Sequence, residues 1–311
     1  AKILIFLLAL SQFALAKEIN ILLPAKNISL DPGGVIDQSS LWVNRQVHCQ
    51  LFRQEGRNVV NDAAAAYKYE SPTRLVVELR KDLTFSNGEK VKPIDVVNSI
   101  ETLKKKRKVL RNVFRWIKSV EVMGENKIIF NLKSAVPQFQ KFLTSPHYSI
   151  LSKEFLSKVE KDNSLWDNPN GCGKFKIKDR SSLFIVLYPK NGHGNSVKFW
   201  FRDSIADKKL DDFDIIPAIN VTQNIPSEKF RVEKIFDPYQ LMLALNTNSE
   251  IFKNKKDRCE FLSSLDTHDL RLNLGSEYSE AKSIFPRGIV GFNENQDWSS
   301  YYKSHSQRKK I

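Results

Sequence analysis

The stretch from Arg74 to Leu132 limits the fold more than any other part of the chain, because its apolar spacing switches from period two to helical and back. In RLVVELR, Leu75, Val77 and Leu79 alternate with Val76, Glu78 and Arg80, the pattern of a strand with one core-facing side. Ser86-Asn87-Gly88-Glu89 reads as a turn, and Pro93 suits a first helical residue, where its missing N–H removes no hydrogen bond. Val96, Val97, Ile100 and Leu103 then mark one helix face. Ile117 to Val122 and Lys127 to Leu132 are two strand-like runs across the hairpin turn Gly124-Glu125-Asn126. A chain that interleaves strands and helices this closely is predicted to be mixed α/β.

The flanks extend the pattern. Lys17 to Leu23 reads as a strand, Asp31-Pro32-Gly33-Gly34 as a turn, and Leu41, Val43, Val47 and Leu51 follow helical spacing. Short helices are expected at 136–143 and 153–159, a flexible loop at 168–173, and strands at 174–178, 184–188, 197–201, 213–216 and 241–245. A last helix at 255–265 would bury Cys259, Leu262 and Leu265. A hydrophobic share of 41% with 11% aromatic residues supplies one large or two medium cores and excludes disorder as the dominant state.

Residues 1–16, AKILIFLLALSQFALA, have the order of a secretory signal: a Lys, an apolar run from Ile3 to Leu10, and small residues at Ala14 and Ala16. Cleavage is expected between Ala16 and Lys17, and the run is too short to span a bilayer. Lys and Arg exceed Asp and Glu by 49 to 35, a formal charge of +14. The densest run is Lys104-Lys105-Lys106-Arg107-Lys108 with Arg111. It reads as a solvated helix end favoured by the helix dipole rather than as a nucleic-acid site, since no nucleic-acid motif accompanies it. Attraction to an anionic membrane surface is compatible with the charge. The three cysteines, at 49, 172 and 259, form no CxxC pair, and an oxidising compartment could join two of them without the sequence saying which.

A search for catalytic constellations finds none. The five histidines, at 48, 147, 193, 268 and 305, share no ligand spacing, and no GxSxG elbow, P-loop or GxGxxG occurs. His193 between glycines reads as an exposed turn residue, and Asp211, Asp212 and Asp214 as solvated surface. Cys172 resembles an exposed nucleophile only superficially. No enzyme activity, metal or cofactor is expected.

The order of segments resembles the family 5 extracellular solute-binding proteins of the oligopeptide, dipeptide and nickel ABC-transporter type. NISLDPGG resembles that family's opening segment. RLVVELRKDLTFSNGEKVKPIDVVNSI is similar to its most diagnostic stretch through Leu79, Arg80, Phe85, Gly88, Asp95 and Val96. KSVEVMGENKIIFNLKSAVPQFQKFLT resembles the following hairpin and helix, NPNGCGKFKI a glycine-rich loop, with Lys174 and Phe175 where Pro and Tyr are usual, and LALNTNSEIFKNKKDRCEFLSSLDTHDL a crossover between lobes. SIFPRGIVGF resembles a segment further on.

The resemblance implies a periplasmic-binding-protein-like two-lobe architecture with mixed sheets. Its first lobe would take residues 17–245, with an inserted subdomain at about 35–135, and an incomplete second lobe would take 246–311. It implies capture of a peptide or similar small solute in the periplasm for a membrane permease by a monomer, without cofactor or nucleic acid. It places ligand contacts at Lys26, Asn27 and Ile28, at Gly171, Cys172 and Gly173, and at Asn246, Thr247 and Asn248. A degenerate single-lobe scaffold without a ligand, or a basic nucleic-acid binder, are the competing expectations.

Overall fold

The computed structural model describes residues 17–216 apart from 36, 57, 107–113 and 203–207, together with 230–231, 243–266 and 269. The expected signal segment and the far end of the chain lie outside the described residues. Contacts divide the chain into two compact units, Ala1–Ile219 and Asn220–Ile311.

In the first unit, β1 (Glu18–Leu22) leads through the Asp31 turn to helix α1 (Gln38–Val47). Asp37 caps α1 by accepting from Ser40 N at 2.8 Å, which satisfies one of the N–H groups that a helix start leaves open. The strands β2 (Phe52–Glu55), β3 (Asn58–Asn61), β4 (Ala64–Ser71) and β5 (Arg74–Leu79) precede α2 (Pro93–Lys106). They are followed by β6 (Ile117–Met123), β7 (Lys127–Leu132), α3 (Phe139–Phe142), α4 (Lys153–Val159), β8 (Phe175–Arg180), β9 (Phe184–Pro189) and β10 (Ser196–Trp200). The expected α/β class is observed, with mixed sheets.

Among the described residues the strands form a hairpin, β2-β3, and two four-stranded sheets ordered β4-β5-β7-β6 and β1-β10-β9-β8. The first of these sheets is antiparallel throughout. In the second, β1 joins β10 in parallel, pairing Asn20 with Lys198 and Leu22 with Trp200, so the two ends of this unit close one sheet. Each sheet has its own core. Val96, Ile100 and Leu103 of α2 pack with Leu75, Val77, Ile128 and Phe130, while Val43 and Val47 of α1 pack with Ile185, Leu187 and Phe199. Phe130 and Phe139 are fully buried, each contributing roughly 1.5–3 kcal/mol by leaving water.

Helix starts are explained by their side chains. Pro93 opens α2, and the Asp95 carboxylate accepts from Lys92 N at 2.8 Å and from Lys153 N at 3.2 Å. One buried carboxyl thereby ties the entries of α2 and α4 together, although burial pushes its pKa above the ordinary value. Ser152 caps α4 by accepting from Phe155 N at 3.1 Å. The basic run begins within α2 at Lys104; Arg107, Lys108 and Arg111 lie outside the described residues.

Several expectations differ in detail: α1 stops at Val47, so Leu51 lies beyond it, and of the strand expected at 241–245 the described residues 243–245 form none. The stretch 213–216 supplies an isolated bridge, Ile21 with Ile215, rather than a strand. In the second unit α5 (Lys255–Ser264) forms as expected but buries none of its residues, and Cys259 is half-buried with a free thiol. The 168–173 loop, expected to be flexible, is tied down, as described next.

Candidate functional site

The segment Ala25 to Leu30 follows β1 and is held almost entirely by its backbone. Arg202 N donates to Ala25 O at 2.8 Å, Arg180 Nη2 to Ile28 O at 3.0 Å, and Ser29 N to Ser40 Oγ at 2.9 Å. Asn44 Nδ2 donates to Ser29 O at 2.6 Å. His48 Nε2 lies 3.1 Å from Leu30 O and must carry the proton, since a carbonyl only accepts. Ile28 and Leu30 point into the core, whereas Lys26 and Asn27 are exposed. The segment therefore works as a fixed rail that displays two polar side chains.

His48 is buried, and desolvation lowers its pKa from 6.5 to about 4, only partly opposed by its bond to Leu30. The ring stays neutral at physiological pH, with Trp166 edge-on at 6.5 Å. Arg180 also lies 3.3 Å from Asp167, so one guanidinium joins β8 both to the rail and to the turn after α4.

The glycine-rich loop packs beneath α1. Cys172 forms a disulfide with Cys49, a pairing across 123 positions that the sequence left open. Gly173 N donates to Val47 O at 2.8 Å, and Gly171 O accepts from Ser86 N at 2.9 Å. A Cβ on Gly171 would lie 2.1 Å from Val47 O, and one on Gly173 2.2 Å from Gln46 O, so only glycine fits at either position. Lys190, half-buried, donates to Thr84 O and, at 3.2 Å, to Cys172 O. Desolvation, with Arg80 nearby, lowers its pKa. Gly171, Cys172 and Gly173 are thus buried, and Cys172 has no thiol to offer.

Asn246, Thr247 and Asn248 belong to the second unit and are exposed. They form a turn in which Asn246 Oδ1 accepts from Asn248 N at 3.0 Å and Asn246 O accepts from Ser249 N at 3.1 Å. Within the first unit the rail and the loop meet through α1: Asn44 and His48 hold the former, Gln46 and Val47 seat the latter.

Sequence reasoning missed two groups that set this geometry. Arg180 carried no local motif, and His48 looked like an isolated histidine. An open apolar groove of about 410 Å³ lies between α1 and the β1-β10-β9-β8 sheet, lined by Ile21, Trp42, Phe175 and Phe199 with Arg45 and Gln46. A polar groove of about 360 Å³ runs past Asn87, Glu154, Lys158, Asn168 and Asn170. Among the described residues, no group of three or more His, Cys, Asp or Glu could hold a metal ion, and no helix is long and apolar enough to cross a membrane.

This combination, a mixed sheet that takes in β1 and a second antiparallel sheet inserted after α1, is similar to that of extracellular solute-binding proteins. Residues 58–198 match the family described as bacterial extracellular solute-binding proteins, family 5 middle, so that stretch is similar to those proteins. It is 26% identical over 170 residues to the nickel-binding protein NikA of Staphylococcus aureus, covering 54% of this chain and 32% of that one. In structure it is similar to Burkholderia pseudomallei OppA, with a TM-score of 0.73, 17% identity, and coverage of 94% of this chain and 65% of that one. It is also similar to the Escherichia coli murein tripeptide binding protein MppA, with a TM-score of 0.54, 18% identity, and coverage of 60% and 42%. The chain thus spans about a third of the curated relative and up to 65% of these solved ones.

Proposed function

We propose that this chain captures a peptide or similar small solute outside the cytoplasm, in the periplasm after removal of residues 1–16, and presents it to the permease of an ABC transporter. Lys26 and Asn27 would contact the solute, with Ile28 and the loop Gly171-Cys172-Gly173 fixing the wall behind them. Asn246, Thr247 and Asn248 would be the contact residues of the second unit. The observation that carries this reading is the rail itself: five hydrogen bonds fix the backbone from Ala25 to Leu30 while two adjacent polar side chains stay exposed. A preorganised wall binds without the entropy of ordering a loop. The peptide class is supported by the likeness to the murein tripeptide binding protein; the S. aureus relative is named for nickel.

The test is ligand-induced thermal stabilisation. A hundredfold excess over Kd of a true ligand adds about 2.7 kcal/mol to stability. Peptide mixtures should raise the melting temperature, and Lys26→Ala with Asn27→Ala should reduce the rise. A rise with nickel–histidine alone would reassign the solute, and no rise with either would favour a scaffold without a ligand.

A further inference from the structure

The outward face of the β1-β10-β9-β8 sheet has no part in the proposed wall, and its side chains are unlike those of a plain solvated face. Trp200 of β10 stands opposite Phe184 of β9, their rings edge-to-face at 5.2 Å. The indole N–H donates to Asn20 Oδ1 at 2.8 Å, which fixes the ring. Lys198 Nζ lies 3.9 Å from the centre of Phe184 and 4.2 Å from that of Trp200, and Lys208 Nζ lies 4.4 Å from Trp200. Beside them Lys178 lies over Tyr188 at 5.9 Å, and Leu183, in the turn before β9, is 45% exposed.

Two ammonium groups therefore share one indole, close enough to lie within about a Debye length of each other. Among the described residues neither Lys198 nor Lys208 has a carboxylate partner. The ring quadrupoles offset part of their repulsion, but aromatic faces do not neutralise charge. Among the described residues, Asp214 is engaged by Lys17 at 3.0 Å and by Asn20 N at 2.8 Å, and Asp212 accepts from Lys209 N at 3.0 Å, while the strands of this face carry Glu18 and Asp179 with Lys176, Lys178 and Lys198. The rings hold in place two cations that have no ion pair of their own among the described residues.

We propose that this face docks on an anionic membrane surface, with lipid phosphates bridging Lys198 and Lys208 and with Trp200, Phe184 and Leu183 settling at headgroup level. Lipid phosphate fits better than a free anion because the cations are set among apolar groups, the pairing of aromatic ring and lysine that suits a membrane–water interface. Each lysine near such a surface is worth about fivefold in affinity, so losing two should weaken binding roughly 30-fold.

Sedimentation with vesicles of phosphatidylcholine, alone or mixed equally with phosphatidylglycerol, tests this on the whole chain. The protein should sediment with the mixed vesicles only, less so as salt rises, and Trp200 emission should shift to the blue, a shift lost in Trp200→Phe. Lys198→Gln with Lys208→Gln should weaken binding roughly 30-fold, whereas Lys118→Gln with Lys133→Gln, an equal charge change on the other four-stranded sheet and its edge, should not. Thermal melts establish that both variants fold. The proposal is overturned if mixed vesicles are not bound or if both double variants weaken binding alike. It is also overturned if soluble polyglutamate binds as tightly as vesicles and depends on the same two lysines, which would give the face to an acidic protein.

Discussion

Acid should destabilise this protein through one side chain. His48 is fully buried and neutral, with a folded pKa of about 4 against 6.5 when exposed. Between those two values the unfolded chain takes up a proton that the folded chain refuses, so stability falls as pH falls. The slope approaches about 1.4 kcal/mol per pH unit, the loss amounts to about 3 kcal/mol by pH 4, and this contribution levels off below it. For a unit of this size that is roughly 10 °C in melting temperature. The assay is urea unfolding at a series of pH values for the wild type and for His48→Gln, whose amide can still donate to Leu30 O. The variant starts from a different stability, so the slopes are compared, and the interval from pH 6.5 to 5 is the cleanest because most carboxylates titrate below it. Equal slopes for both proteins would refute the reasoning, since a neutral buried imidazole cannot then be the group that refuses the proton.

Reduction of the Cys49–Cys172 disulfide should lower stability by about 3–5 kcal/mol, since it closes a long loop in the unfolded chain; melts with and without dithiothreitol check this, and Cys172→Ser should abolish the difference. Gly173→Ala should cost about 2 kcal/mol or more, because its Cβ would meet the Gln46 carbonyl at 2.2 Å and the loop must leave its seat, and denaturant midpoints measure the loss. The same substitution at Gly192, where nothing lies within 4 Å and only the positive φ of 77° resists it, should cost less.

The parts of the fold legible in the sequence are those where local pattern and tertiary demand agree. Strands β5 and β7, the turn at Gly124 with φ 65°, and the start of α2 at Pro93 all fall where the spacing puts them. Strand β4 was invisible because AAAYKYES has no apolar alternation and is mostly exposed; its register comes from pairing with β5, Tyr67 opposite Val77 and Tyr69 opposite Leu75. Val76 was assigned to the solvent side, yet it is 9% exposed because its partner Ile129 continues an apolar stripe across the outer face. The helix near Cys259 was visible from its spacing, but that spacing did not translate into burial. The disulfide was beyond reach, since two cysteines 123 positions apart carry no sign of meeting until α1 and the loop are placed.

The candidate site divides along the same line, and the reason is mechanical. The residues that carry the family likeness answer backbone needs: Asp95 bridges two helix entries, Phe85 fills the core, Gly88 turns at φ 88°, and Arg80 holds Asp82 and reaches Asp62 O at 3.3 Å. Gly171 and Gly173 belong with them, seated against carbonyls that tolerate no side chain. Such demands are local and chemically narrow, so they leave a readable pattern. The segment that displays Lys26 and Asn27 makes a different demand, because its backbone is held by Arg180, Ser40, Asn44 and His48, none of them its neighbours in sequence. The pattern therefore identifies the frame, while the solute contacts proposed at Lys26 and Asn27 would rest on side chains that no such backbone demand specifies.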